Sequence, residues 1–282
     1  MKLVKNIESL SKIIDTLKSK GKSIGFVPTM GALHEGHLSL IKMASYQCDV
    51  VVVSIFVNPT QFNNSNDLSA YPHDLENDIR LLESVDCSIL FAPSRKEVYP
   101  SGENTRRYKL NDLDKRLEGK KRPGHFDGVC TIVHKLFNWI SPHKAYFGEK
   151  DFQQLLIIKQ LVKTLSLPID IISGPTIREE DGLAKSSRNS RLNPSDRELS
   201  AIIYNCLSKA KSMYKDNSPL EIISYTREAL SKENRIIIDY IEIVNSNTLE
   251  SITSYQPKIR VQMMIAVFIG NVRLIDNLAL ND

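Results

Sequence analysis

The sequence predicts an α/β fold: a doubly wound parallel sheet followed by a smaller C-terminal α+β domain. Three observations carry that expectation. From the N-terminus to about residue 175, strand-like apolar runs alternate with segments whose apolar residues recur at helical spacing. The runs at 24–27 and 49–57 are nearly continuous and the second, DVVVVSIFV, is β-branched, as strands buried on both faces of a parallel sheet require. Beyond about residue 176 the alternation stops, and helical segments precede strongly β segments. The expected domains are 1–175 and 176–282.

Asn6 is placed to cap a first helix in which Ile7, Leu10, Ile13, Ile14 and Leu17 repeat, with Gly21 to end it. A strand at 23–27 follows and is expected to stop at Pro28. The next helix is expected from about Gly36 to residue 47, with Leu38, Ile41 and Met43 at apolar positions. With the strand at 49–57 this makes a βαβ unit, whose crossover is right-handed. NPTQF (58–62) and a polar loop lead to a helix over 74–85 and a short strand over 88–91. Residues 92–111 read as irregular. The charged stretch DLDKRLEGKKRPGHFDG then opens a helix with Val129, Ile132, Val133, Leu136 and Phe137 on one side. A strand at 144–147, the segment GEKDFQQ, a helix over LLIIKQLVKTL and a strand at 168–172 complete the series, which is Rossmann-like in its grammar. After the polar connector PTIREEDGLAKSSRN, helices are expected at 195–215 and 219–232. Strands are expected at 236–244 and 260–269, the latter continuing through Asn271 into VRLIDNLAL.

With 282 residues, 41% of them hydrophobic and 25% charged, the chain reads as an ordinary globular protein. A formal net charge of +4 suits anionic small molecules and does not call for nucleic acid. Cys48, Cys87, Cys130 and Cys206 are widely spaced beside apolar runs, so reduced thiols are expected rather than disulfides or a zinc site. The first twenty residues carry charges throughout, unlike a signal peptide, and no apolar run approaches the ~20 residues of a membrane span. A cytoplasmic protein without membrane or nucleic-acid partners is the expectation.

In an open α/β sheet, ligands bind beyond the carboxyl ends of the strands. Four informative polar segments directly follow expected strands: PTMGALHEGH, NPTQF, GEKDFQQ and GPTIREEDGLAKSSRN. They are expected to converge on one rim. A glycine turn feeding a helix start that carries His34 and His37 suits a phosphate, because unpaired N–H groups there already favour an anion. Lys150, Ser186, Ser187 and Arg188 add donors, two of them charged. Asn58, Gln61 and Gln154 are neutral amides suited to hydroxyls and a carboxylate. No GxSxG elbow occurs and no cysteine lies in these segments, which argues against a covalent intermediate on the enzyme.

PTMGALHEGHLSLI, FVNPTQF, RPGHFDGV, YFGEKDFQQ and REEDGLAKSSRN resemble, in that order and spacing, the pantoate–β-alanine ligase family. HEGH resembles the HIGH motif of the wider nucleotidylyltransferase group, and KSSRN stands where its KMSKS loop does. The resemblance implies ATP-dependent condensation of (R)-pantoate with β-alanine through pantoyl adenylate, releasing pyrophosphate and AMP. It implies ATP contacts from Met30, Gly31, Ala32, Leu33, His34, Glu35, Gly36 and His37, and from Gly148, Glu149, Lys150 and Asp151. Ile177, Lys185, Ser186, Ser187 and Arg188 complete that set, with His37, His34 and Lys150 as the catalytic residues. Gln61 and Gln154 are implied to hold pantoate, with Asn58 and Arg122 as further substrate contacts. Magnesium is expected mainly on the ATP phosphates, with Asp78 as an alternative carboxylate beside it, and a homodimer is implied. The sequence departs from the family pattern at His73, Lys185 and Arg191, in place of a usual Arg, a Met or Leu, and an aromatic residue. Another nucleotidylyltransferase would share HxGH but leave NPTQF and GEKDFQQ unexplained. An RNA-binding remnant would need a basic face that +4 over 282 residues does not supply.

Overall fold

Six strands form one all-parallel sheet in a computed structural model that describes residues 1–281. They are β1 (Lys2–Val4), β2 (Ile24–Thr29), β3 (Val50–Ile55), β4 (Ile89–Phe91), β5 (Lys144–Gly148) and β6 (Asp170–Gly174). Their order across the sheet is β1-β4-β3-β2-β5-β6. The chain therefore winds outward from β2 in one direction through β3 and β4, then returns to the other side of β2 for β5 and β6. The strand order reverses between β2 and β5, the place in an open α/β sheet where ligands bind beyond the carboxyl ends of the strands.

Eleven α-helices accompany the strands among the described residues: α1 (Ile7–Ser19), α2 (Glu35–Gln47), α3 (Ser65–Ser69), α4 (Leu75–Glu83), α5 (Arg95–Val98), α6 (Leu117–Lys121), α7 (His125–Ile140), α8 (Phe152–Thr164), α9 (Pro194–Leu199), α10 (Ile202–Met213) and α11 (Pro219–Ser231). Local chemistry sets several of their starts. Asn6 accepts from the Ser9 amide at the start of α1, Asp74 from Asn77 before α4, and Ser94 from Glu97 before α5. Ser218 and Glu221 make a reciprocal capping box on α11, with Pro219 at its first position. On one face of the sheet, Ile41 and Ala44 of α2 and Leu82 of α4 lie against Val27, Val51, Val53 and Leu90, all essentially without solvent exposure. Each such fully buried Leu or Ile contributes about 1.5–3 kcal/mol.

The chain divides into two compact units, one made of Met1–Glu149 with Gln154–Pro175, the other of Lys150–Gln153 with the chain from Thr176 onward. The second unit has its own core. Its antiparallel sheet is β7 (Ile236–Asn245), β8 (Val261–Ile269) and β9 (Val272–Ala279), in that order. Leu207, Ile222 and Leu230 from its helices are buried against Ile243, Met263, Ile265 and Val267 of that sheet.

Several sequence expectations need correction. Pro28 does not stop β2; the strand runs to Thr29 with Pro28 opposite Ser54 of β3. On the other side β5 pairs only with Gly25 and Phe26, so the missing N–H falls where that ladder has already ended. β1 was not anticipated, because three residues show no period; it pairs with β4 at the sheet edge. The expected helix 195–215 is two helices, broken at Ser200, whose hydroxyl donates to the Arg197 carbonyl. The long terminal β run is a hairpin: Ile269 pairs with Val272 across Gly270 and Asn271, and Gly270 has a φ of +56°.

Candidate active site

The loop that leaves β2 is held in a left-handed bend. Gly31 has φ +80° and Ala32 +49°, and a Cβ on Gly31 would lie 2.9 Å from Asp78 Oδ2. The Gly31 amide donates to Thr29 Oγ1 at 3.2 Å, and that hydroxyl donates to the Ser54 carbonyl. Asp78, on α4 and 1% exposed, closes the bend: its two oxygens accept from the amides of Ala32 (3.0 Å) and Leu33 (2.7 Å). Burial raises its pKa above the ordinary carboxylate range although both N–H bonds pull the other way. Both of its oxygens clamp the loop, and among the described residues no group of three His, Cys, Asp or Glu side chains is gathered for a metal ion.

The bend delivers His34 and His37 to the start of α2, where they cap the helix for each other. His34 Nδ1 accepts from the Gly36 amide at 3.2 Å, and His37 Nδ1 accepts from the His34 amide at 3.3 Å. The ring centroids are 4.1 Å apart. A neutral imidazole that accepts at Nδ1 carries its proton on Nε2, so both rings are N–H donors at that atom. Gly36 is required between them: a Cβ there would stand 2.9 Å from the His34 ring.

Beyond β3 the chain makes a 3-10 turn, Pro59–Gln61, set on the start of α7. Asn58, 1% exposed, has all its amide capacity matched. Its Oδ1 accepts from Tyr99 Oη (2.7 Å) and Thr60 Oγ1 (3.0 Å), while its Nδ2 donates to Gln61 Oε1 (3.1 Å) and the Gly128 carbonyl (3.2 Å). Gln61 Nε2 lies 3.1 Å from the Met30 sulfur, which joins this turn to the loop after β2. The Gln61 carbonyl accepts from His125 Nδ1 (2.7 Å) and from Arg122 (3.3 Å). Since a carbonyl only accepts, His125 carries its proton on Nδ1. Arg122 also faces the buried carboxylate of Glu118 at 3.5 Å.

In the second unit, the Lys150 carbonyl accepts from Asn277 Nδ2 of β9 at 2.8 Å, and its ammonium is 3.7 Å from Asp151. The connector after residue 176 is a small bridged hairpin, Arg178 opposite Ala184. Arg178 anchors it through two bonds to Asp276 (2.6 and 3.1 Å), one to the Gly182 carbonyl, and a stacked position over the Tyr204 ring. KSSRN (185–189) runs into a 3-10 turn, Ser187–Arg191, capped by Ser186, whose Oγ accepts from the Arg188 amide. Lys185 pairs with Glu179 at 2.9 Å.

A family model described as Pantoate-beta-alanine ligase matches residues 2–279. The chain belongs to that family. A ligase named pantothenate synthetase from Phocaeicola vulgatus is 48% identical over 279 residues, covering 99% of both chains. One of the same name from Acetivibrio thermocellus is 47% identical over 279 residues, covering 98% of each. Among solved structures, pantothenate synthetase from Thermus thermophilus superposes with a TM-score of 0.94 at 39% identity and covers all of both chains. The Francisella tularensis ligase, crystallised with Beta-gamma ATP and Beta-alanine, matches at 0.81 with 40% identity, covering 99% and 98% of the two chains.

In this ligase the residues expected from sequence fall into two groups. Met30, His34, His37, Asn58, Gln61 and Arg122 lie in the first unit, where Met30, Asn58 and Arg122 each bond to Gln61 and His34 bonds to His37, and Gln154 belongs to it as well. Lys150, Asp151, Ile177, Lys185, Ser186, Ser187 and Arg188 belong to the second. Sequence reasoning missed Tyr99, within a stretch read as irregular, and the clamp role of Asp78. It also passed over His125, although the RPGHFDG motif that contains it was in view. None of the three has a local period or spacing to mark it; each acts across 41 or more positions of chain.

Proposed function

We propose that the ligase performs its family's condensation by adenylating pantoate and then passing the acyl group to β-alanine. The carboxylate of pantoate attacks the α-phosphorus of ATP and pyrophosphate leaves. The amine of β-alanine then attacks the acyl carbon and AMP leaves. One observation carries this reading: the loop that ends in a pair of imidazoles at a helix start is tied, through Met30 and Gln61, to a buried, orientation-locked amide network. That is the chemistry of a phosphate chain beside a small hydroxy acid.

His34 and His37 would present Nε2–H to the phosphates next to the positive end of α2, which supplements them. Gln61 and Gln154 would hold pantoate. For the second unit, the family resemblance assigns Lys150 to the charge that develops on the α-phosphate, and Lys185 to Arg188 to the phosphate chain. Preorganised donors of this kind lower the barrier by stabilising charge where it develops. Magnesium would enter on the ATP phosphates, where that ion ordinarily keeps water and substrate oxygens. A homodimer is proposed on the resemblance alone. A cytoplasmic location is proposed from four free thiols, three of them buried; no helix of the described residues is long and apolar enough to cross a membrane.

The deciding experiment is pantoate-dependent exchange of labelled pyrophosphate into ATP, with magnesium and without β-alanine. Exchange is expected. Its absence in a folded sample would refute adenylation. Lys150→Ala is expected to slow the exchange by about 10²–10³-fold, the cost of one essential electrostatic donor.

A further inference from the structure

Gln61 has two ends of opposite polarity, and which end faces the substrate decides what the site can recognise. That choice is made at a distance. The Gly128 carbonyl cannot donate, so the Asn58 atom 3.2 Å from it must be Nδ2. Oδ1 of Asn58 then points to Tyr99 Oη and Thr60 Oγ1, and both hydroxyls donate to it. Because Asn58 Nδ2 also donates to Gln61 Oε1, a reversed Gln61 would set N–H against N–H. Gln61 is thereby forced to turn Nε2 toward the Met30 sulfur, a weak acceptor that leaves the nitrogen able to donate to a stronger one.

We propose that Tyr99 is a positioning residue for acid-substrate recognition, acting through Asn58 to hold Gln61 with its N–H donors toward an oxygen of pantoate. This deepens the adenylation reading and rests on it. Tyr99 is well suited to the task. It is 6% exposed, it follows the short helix α5, and its ring stands 6.2 Å from that of Phe56. Lys135 Nζ lies 5.3 Å over the ring and donates to the neighbouring Val98 carbonyl, which steadies the segment. Burial raises the pKa of the phenol, so the hydroxyl keeps the proton it donates. Its bond to Asn58 is the shortest of the four on that amide.

The chain of polarity, hydroxyl to amide to amide, predicts a specific coupling. Tyr99→Phe is expected to raise KM for pantoate about fivefold, the effect of one neutral hydrogen bond in a buried network, and to leave KM for ATP unmoved. In a Gln61→Ala background the same substitution is expected to change KM for pantoate less than about twofold, because the residue it acts through is gone. Asn58→Asp places an acceptor where Gln61 needs a donor, and is expected to raise KM for pantoate more than Tyr99→Phe does. Thermal melting of each variant separates folding from binding.

Equal increases in both KM values, full additivity with Gln61→Ala, or an unchanged KM for pantoate in either variant would each overturn the proposal. If the unmodified chain itself shows no pantoate-dependent exchange, the adenylation reading fails first. Exchange in the unmodified chain without the Tyr99–Gln61 coupling overturns the positioning role alone.

Discussion

At the scale of single residues, the first unit commits its most buried polar side chains wholly to its architecture. Both oxygens of Asp78 go inward, to Ala32 and Leu33. Its raised pKa has a definite consequence for stability. A native carboxyl that holds its proton to higher pH than the unfolded one gives a folded state with more bound protons in that interval. Stability attributable to the residue therefore falls as pH climbs from the ordinary carboxylate range through the raised folded value. Asp78→Asn removes this dependence, so the stability of the unmodified chain relative to the variant should decline across that window in urea titrations. The variant also offers one acceptor to two amides. Leaving a buried N–H unpaired costs about 1–3 kcal/mol, and kcat/KM for ATP is expected to fall about tenfold as the loop before His34 loosens. A relative stability that rises with pH would show that the backbone bonds, not burial, dominate the titration.

At the scale of elements, the site is built by close approach rather than by long side chains. α7 comes up against the 59–61 turn so tightly that a Cβ on Gly128 would collide with the Thr60 carbonyl oxygen and lie 2.8 Å from the Gln61 nitrogen. Alanine has better helix propensity than glycine by about 1 kcal/mol, which favours Gly128→Ala. The clash is with backbone on both counts, and overpacking of that kind costs about 1–3 kcal/mol. A net loss of stability and a raised KM for pantoate are expected from denaturant and kinetic titrations. The element scale also shows what was legible in the sequence. The cap at Asn6, the apolar face of α7 and the β-branched β3 were readable because they depend on neighbours within one turn or one strand. β1, the break at Ser200 and the passage of β2 through Pro28 were not, since each is decided by a partner strand or a side chain that spacing does not reveal. The HEGH and NPTQF segments stood out as candidate site material from residue type and position after a strand. Their bonding was not, because Tyr99, Gly128 and His125 meet them only in the folded chain.

At the scale of the whole molecule, each unit carries its own core, and the second stabilises its irregular connector with charge. Asp276 is 3% exposed and takes two charge-assisted bonds from Arg178. Removing one partner of such a pair strands the other, which costs about 3–5 kcal/mol in a buried setting. Arg178→Ala is therefore expected to lower the stability of the second unit by about 3 kcal/mol. Amide exchange should accelerate in β7 to β9 while β2 and β3 of the first unit keep their protection. Uniform acceleration in both units would contradict separate cores.

The histidine cap on α2 has one property that a serine cap lacks. It can be dissolved by a proton. Once either ring is doubly protonated its Nδ1 becomes a donor, and the contact with the amide it had capped turns from attraction to repulsion. The first turn of α2 thus keeps both of its side-chain caps only while the two rings are neutral.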